Sequence, residues 1–300
     1  MKHLNLVLLI VDNNDYQVEQ TVAAKEAARA LGVDLQLLHA GHDAVMQSQE
    51  VLKLLHNPPG VRPDGILFEP VGTPLAQAAR IAASSGVGWV VLNREETDYL
   101  KELRQQYPTP LFSVSTSHAD VGRIQGEQIA QLLPDGGTVL YIQGPSDNSA
   151  SVSRTAAVQA AKPANVELRF LRGLWTEQSA FQAVSSWLKL NITRDVAFGV
   201  VAAQNDAMAL GARRAFQELT TGPDRDRWLK LPFIGCDGLP NTGQASVNRG
   251  VLAATVVIPP NAGQAVKALV AALRTGQRPA ECLLTSASSF PPLGSLKPRR

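Results

Sequence analysis

Short apolar runs alternate with longer stretches of helical spacing, and this constrains the chain more than any other feature. LNLVLLI (4–10), VDLQLL (33–38), GILF (65–68), WVVL (89–92), TVLYI (138–142), VELRFL (166–171), AFGVV (197–201) and PFIG (232–235) are each too short for a buried helix. Their near-continuous apolar character suits strands covered on both faces, the hallmark of a parallel sheet between helices. The intervening patterns predict helices near 18–31, 43–56, 74–84, 118–132, 151–161, 176–189, 206–218 and 260–274, with a further strand over 252–257. Asp43, Asp206 and Asn261 stand where N-caps belong, and Gly32 stands where the first helix must stop.

The pattern occurs twice. VDLQLLHAG (33–41) resembles VELRFLRGL (166–174), and DGILFEPVGTPLAQAARIA (64–82) follows the strand–turn–helix plan of VAFGVVAAQNDAMALGARRA (196–215). GVGWVVLNRE (86–95) stands in the place of KLPFIGCDGL (230–239). Segments recurring in one order at a near-constant offset predict two βαβα lobes of similar plan, for which a cleft between lobes is natural. The boundary falls within 113–118, after LFSVS (111–115). Pro259-Pro260 marks a turn or crossing rather than a strand interior, and the Ser- and Pro-rich stretch from Ser286 is expected to be irregular towards its end.

Composition removes several classes. Twenty-eight basic against 26 acidic residues leave a net charge of +2, too balanced for a nucleic-acid footprint. The basic cluster Lys297-Pro298-Arg299-Arg300 reads as a frayed tail. Cys236 and Cys282 form no CxxC pair, and His39-x-x-His42 lacks a cysteine or carboxylate partner in a metal pattern. GxxxxGK[ST], GxSxG and HExxH are absent, so neither cofactor nor metal is expected, and an enzyme is the least supported class. No run approaches a membrane span of about 20 residues. Lys2 with the apolar run to Val11 is a poor signal peptide, because no small-x-small site follows and Asp12-Asn13-Asn14 ends the run.

Ligands of open α/β sheets bind beyond the carboxyl ends of the strands. The polar residues there are Asp12 to Tyr16, Asn93-Arg94, Ser146-Asp147-Asn148, Trp175, Gln204-Asn205-Asp206 and Asp237. Amides, carboxylates and arginine supply both donors and acceptors, as the hydroxyls of an uncharged polyol require, and aromatic faces cover the C–H face of a sugar ring. Each position also has a plainer reading: Asn13-Asn14-Asp15 a turn, Arg154 a solvated helix residue, Trp175 core, Asp206 a cap.

AQNDAMALGA (203–212) and GCDGLPNTGQASVNRGVLAAT (235–255) closely resemble the type I periplasmic sugar-binding proteins, in particular the ribose-binding type, and the effector domains of lac-repressor-type regulators. Weaker similarity runs from LLIVDNNDY (8–16) to the helix after Pro260. The resemblance implies an α/β fold of two similar lobes joined by a multi-strand hinge. The N-terminal lobe would comprise 1–115 plus about 259–285, and the C-terminal lobe 116–258 plus about 286–300. It further implies ligand contacts from Asn14, Tyr16, Asn93, Arg94, Arg154, Trp175, Asn205 and Asp237, with Asp206 capping the helix behind Asn205. The sequence departs from the family where Asn93 replaces a frequent Asp, Gln17 and Cys236 replace aromatics, and Ile258 replaces a glutamine.

The expected protein is a non-catalytic, monomeric solute-binding protein holding a small carbohydrate, with an ABC-type permease or a membrane receptor or kinase as partner. The alternative is a cytosolic or receptor-linked sensor, since the first strand begins at Leu4 with no DNA-reading module before it. The family places the chain in the periplasm or cell envelope; the sequence as given, without a leader, would be cytoplasmic.

Overall fold

The computed structural model describes residues 3–72, 75–95, 98–190 and 196–298. Pro74, at the head of the helix predicted over 74–84, and Lys2, Arg299 and Arg300 lie outside the described residues. The chain forms two compact units. One runs to Thr116 and resumes over Pro260–Thr285; the other is Ser117–Pro259 with the chain from Ser286 onward.

In chain order the elements are β1 (Asn5–Ile10), α1 (Asp15–Leu31), β2 (Asp34–His39), α2 (Ala44–His56), β3 (Gly65–Phe68), α3 (Ala76–Ser84), β4 (Gly88–Leu92), α4 (Asp98–Gln106) and β5 (Leu111–Thr116). Then come α5 (His118–Leu132), β6 (Gly137–Gln143), α6 (Ser149–Ala161), β7 (Val166–Arg172), α7 (Glu177–Leu188), β8 (Phe198–Ala203), α8 (Asp206–Leu219), α9 (Gly222–Lys230) and β9 (Phe233–Asp237). A π-helical turn (Pro240–Gln244) leads to α10 (Ala245–Asn248) and β10 (Ala254–Val257), followed by α11 (Ala262–Thr275), β11 (Cys282–Thr285) and β12 (Ser288–Phe290). The first sheet has the order β11-β5-β4-β3-β1-β2 and the second β12-β10-β9-β8-β6-β7, so the two follow one plan. Every pairing is parallel except β10 with β12.

The period-2 alternation of each strand divides its side chains between two helical layers. In the first unit Leu6, Leu8 and Ile10 of β1 join α1 and α11, while Val7 and Leu9 face Val51, Leu55 and the alanines of α3. In the second, Leu140 and Ile142 of β6 meet α7 and α8, and Val139 and Tyr141 meet Ile129 and Val158.

Asp43 caps α2 by accepting from Val45 and Met46, and Gly32 ends α1 in the left-handed region. Two other caps need correction. Asn205, not Asp206, caps α8, its Oδ1 accepting from the Met208 amide at 2.9 Å. Asn261 stands at the N-cap of α11 but makes no capping bond, because its side chain is engaged by Thr285 and Asn93. Helices α4, α9 and α10 and strands β5, β11 and β12 are not among the elements that the sequence pattern predicts. Helix α4 buries only Leu100 and Leu103, α9 buries only Trp228, and β11 and β12 are too short to display alternation. The tail expected to be irregular therefore carries β12, paired with β10, and buries Leu296 before its irregular end.

Helices α5 and α6 approach closely because Gly122 has no side chain. A Cβ there would come within 2.8 Å of Ala157 Cβ and would collide with the Arg154 carbonyl. Asp206 fills a second tight spot. Its Oδ2 accepts from the Gly238 amide at 2.8 Å, and Gly235 and Gly243 leave no room for a Cβ against the carboxylate. Burial, reinforced by Asp237, drives the Asp206 pKa well above the ordinary carboxylate value.

Two outcomes are expected. Gly122→Ala should cost about 1–3 kcal/mol through overpacking, even though alanine is the better helix former by about 1 kcal/mol; urea unfolding measures it, and an unchanged midpoint would contradict this packing. Asp206 holds its proton in the folded state at pH values where the unfolded chain has released it. Its presence thus lowers stability as pH rises from about 4 through the folded pKa, by up to about 1.4 kcal/mol per pH unit. Asp206→Asn keeps the carbonyl acceptor for Gly238, so its stability relative to the parent should climb over that range, and a pH-independent difference would contradict it.

Candidate functional site

Parallel strands bring the carboxyl ends of each sheet to one edge, and the backbone is most constrained there. Among the described residues four non-glycines have positive φ: His42 at 61°, Asn93 at 56°, Trp175 at 64° and Asp237 at 95°. Residues held in this sparsely populated region cluster at functional sites. They fall at matching places in the two units. His42 and Trp175 each stand three residues beyond the second strand, β2 or β7, while Asn93 follows β4 and Asp237 ends β9. Three of the four are residues singled out from the sequence.

In the first unit, Tyr16, Asn93 and Arg94 come together around Glu69. The Asn93 side chain is buried, with its Nδ2 donating to Glu69 Oε2 at 2.8 Å. Its Oδ1 accepts from the Tyr16 hydroxyl at 3.3 Å and from Asn261 Nδ2. Gln17 Nε2 donates to the same Glu69 oxygen at 2.7 Å. Arg94 donates to the Asn93 and Pro70 carbonyls, and its guanidinium lies 3.9 Å from Glu69 Oε1. Asn14 is exposed and caps α1 by accepting from Gln17 N. His42, half of the His39-x-x-His42 pair, bonds Asp12, and among the described residues no His/Cys/Asp/Glu cluster suits a metal ion.

In the second unit, Arg154, Trp175 and Asn205 converge. Arg154 is only 6% exposed; its Nη1 donates to the Gln204 carbonyl at 2.6 Å, and its guanidinium lies 5.5 Å from the centre of the Trp175 ring. Asn205 Nδ2 donates to the Trp175 carbonyl at 2.8 Å, so one amide caps α8 and fixes the strained loop that carries the ring. Gln204 accepts from Gly144 N and donates to the Ser151 carbonyl and the Thr155 hydroxyl, tying β8 to α6. Asp237 closes β9 beside the buried Asp206.

Beneath this set, Gln125 accepts from the Tyr141 hydroxyl and donates to the Ala203 carbonyl. Burial raises the Tyr141 and Cys236 pKa values, so both stay neutral and neither offers a nucleophile. Cys236 and Ile258, where the family carries an aromatic and a glutamine, are buried core.

The sequence reading missed Glu69 and the structural parts of Gln17 and Asn261. Glu69 lies 24 and 52 residues from its two amide donors, and only the pairing of β3 with β1 and β4 brings them together. The usable signal was a lone carboxylate directly after an apolar strand, in GILFE.

Comparison with known proteins matches residues 6–278 to the periplasmic binding protein domain. A putative rhizopine-binding protein of Rhizobium meliloti is 27% identical over 192 residues, 62% of this chain and 58% of that protein. The ribose import binding protein of Escherichia coli is 26% identical over 250 residues, 81% of this chain and 75% of that protein. A Bacillus halodurans ABC-transporter solute-binding protein with bound myo-inositol shares the fold at a TM-score of 0.78 and 19% identity, covering 96% and 95% of the two chains. No helix among the described residues is long and apolar enough to cross a membrane. With the match running from β1 through α11, the chain belongs to the periplasmic binding protein domain family.

Proposed function

We propose that this protein is a non-catalytic binding protein for a small uncharged sugar or cyclic polyol, held by groups at the carboxyl ends of its strands. Arg154 carries the reading. A guanidinium so deeply buried ought to be hydrogen-bonded throughout, yet among the described residues only its Nη1 has a partner, and Nε is buried without one. Donors held beside an aromatic face suit a ring that offers hydroxyl oxygens at its edge and C–H bonds on its face. Asp237 and the amides would supply the acceptors that the same hydroxyls need.

Ribose and myo-inositol, for which one relative is named and which one structural neighbour holds, are of this chemistry. By the same reasoning the protein serves uptake from the periplasm or cell surface with an ABC-type permease.

A thermal-shift screen against D-ribose, D-allose, L-arabinose and myo-inositol tests the reading. Binding to the folded state alone stabilises it by about 2.7 kcal/mol at a hundredfold excess over Kd, a readily measured rise in midpoint. Arg154→Ala should keep its fold and lose the shift, the affinity falling by roughly 30-fold or more from the 2–5 kcal/mol typical of breaking a buried charged hydrogen bond. Parent protein unmoved by all four polyols would contradict the proposal, and a full shift in Arg154→Ala would remove that residue from the site.

A further inference from the structure

The resemblance leads one to expect a carboxylate at position 93, where this chain has asparagine. We infer that the carboxylate has moved one strand over, and that Glu69 is the ligand-contacting, specificity-determining acid of the first unit. The inference rests on the polyol reading of the site.

The two units support it independently. Glu69 follows β3 and donates its backbone amide to the Leu9 carbonyl of β1; Gln204 follows β8 and donates its amide to the Ile142 carbonyl of β6. These are equivalent places in two sheets of one order. Asn93 and Asp237 are likewise equivalent at the fourth strands, β4 and β9, both at positive φ. Each unit thus has one acid and one amide at the ends of its third and fourth strands, in opposite order: Glu69 with Asn93, and Gln204 with Asp237.

The geometry gives Glu69 a single outward function. Gln17 and Asn93 both bond Oε2 and fix the plane of the carboxylate. Among the described residues Oε1 has no hydrogen-bond donor, only the Arg94 guanidinium at 3.9 Å, whose Nη1 and Nη2 donate to backbone carbonyls. The side chain is 16% exposed, and Oε1 is not among the buried atoms left without partners. A fixed acceptor oxygen of this kind selects a neutral hydroxyl donor and disfavours a sugar acid, which would set carboxylate against carboxylate.

Glu69→Gln is a clean test. Its carbonyl oxygen can keep both bonds from Gln17 and Asn93, while the outward atom changes from acceptor to donor. Calorimetric titration of D-ribose, myo-inositol and their monodeoxy analogues into both proteins reads the effect. A parent polyol that binds should lose roughly 10- to 100-fold in affinity, the range of a hydrogen bond to a charged group. The loss should vanish for the one deoxy analogue that lacks the hydroxyl meeting Glu69. Equal affinity of both proteins for the parent polyols overturns the inference, as does an equal loss across every analogue, the mark of a merely structural role. Should E69Q melt early, E69D keeps the charge but withdraws it by one methylene; weaker binding is again expected, and unchanged binding overturns the role. Failure of the unmodified protein to bind any of these polyols contradicts the polyol reading itself and removes the basis of this one.

Discussion

A parallel sheet delivers all its strand ends to one edge, and every other feature of these units depends on that constraint. The inner strands are buried on both faces, whereas the edge strands β2 and β7 are partly exposed, so polar side chains collect where each inner strand hands over to a helix. At these handovers the chain must also satisfy loose backbone groups and helix amides. Asn205 shows how the demands combine: one side chain caps α8 and holds the Trp175 carbonyl. One residue of the proposed site thus also holds the fold together.

Electrostatics at the strand ends are arranged with the same economy. Asp206 is enclosed among three glycines, and burial and the neighbouring Asp237 push its pKa well above the usual carboxylate value. In a nearly closed place, a backbone carbonyl and an aromatic face receive the Arg154 guanidinium. In the first unit Glu69 and Arg94 balance each other, and each is oriented by neighbouring amides or carbonyls.

The architecture was legible because apolar alternation is local. β3 was read to the residue, most other strands to within one or two, and the repeated order of segments in the sheets mirrors the repeated sequence. The missed elements mostly carry little apolar signal: α4 is mostly polar and α9 mostly charged, α10 is a single turn, β11 and β12 are stubs at sheet edges, and β5 interleaves Ser113 and Ser115 with its apolar residues. At the site, Asn93, Trp175, Asn205 and Asp237 stand at or just beyond strand ends, and Arg154 of α6 forms one cluster with Trp175 and Asn205. Who caps α8, and where the first unit keeps its carboxylate, depended on contacts between segments far apart in sequence. Asn205 and Asp206 are adjacent and both are good caps, so only geometry distinguishes them.

The account turns on one claim, that groups at the carboxyl ends of the strands hold an uncharged polyol. A crystal structure of the protein grown with the polyol that it binds most tightly tests this most directly. The account predicts hydroxyl oxygens within hydrogen-bonding distance of Arg154 and Asp237 and a ring face against Trp175. A polyol seated elsewhere would contradict it.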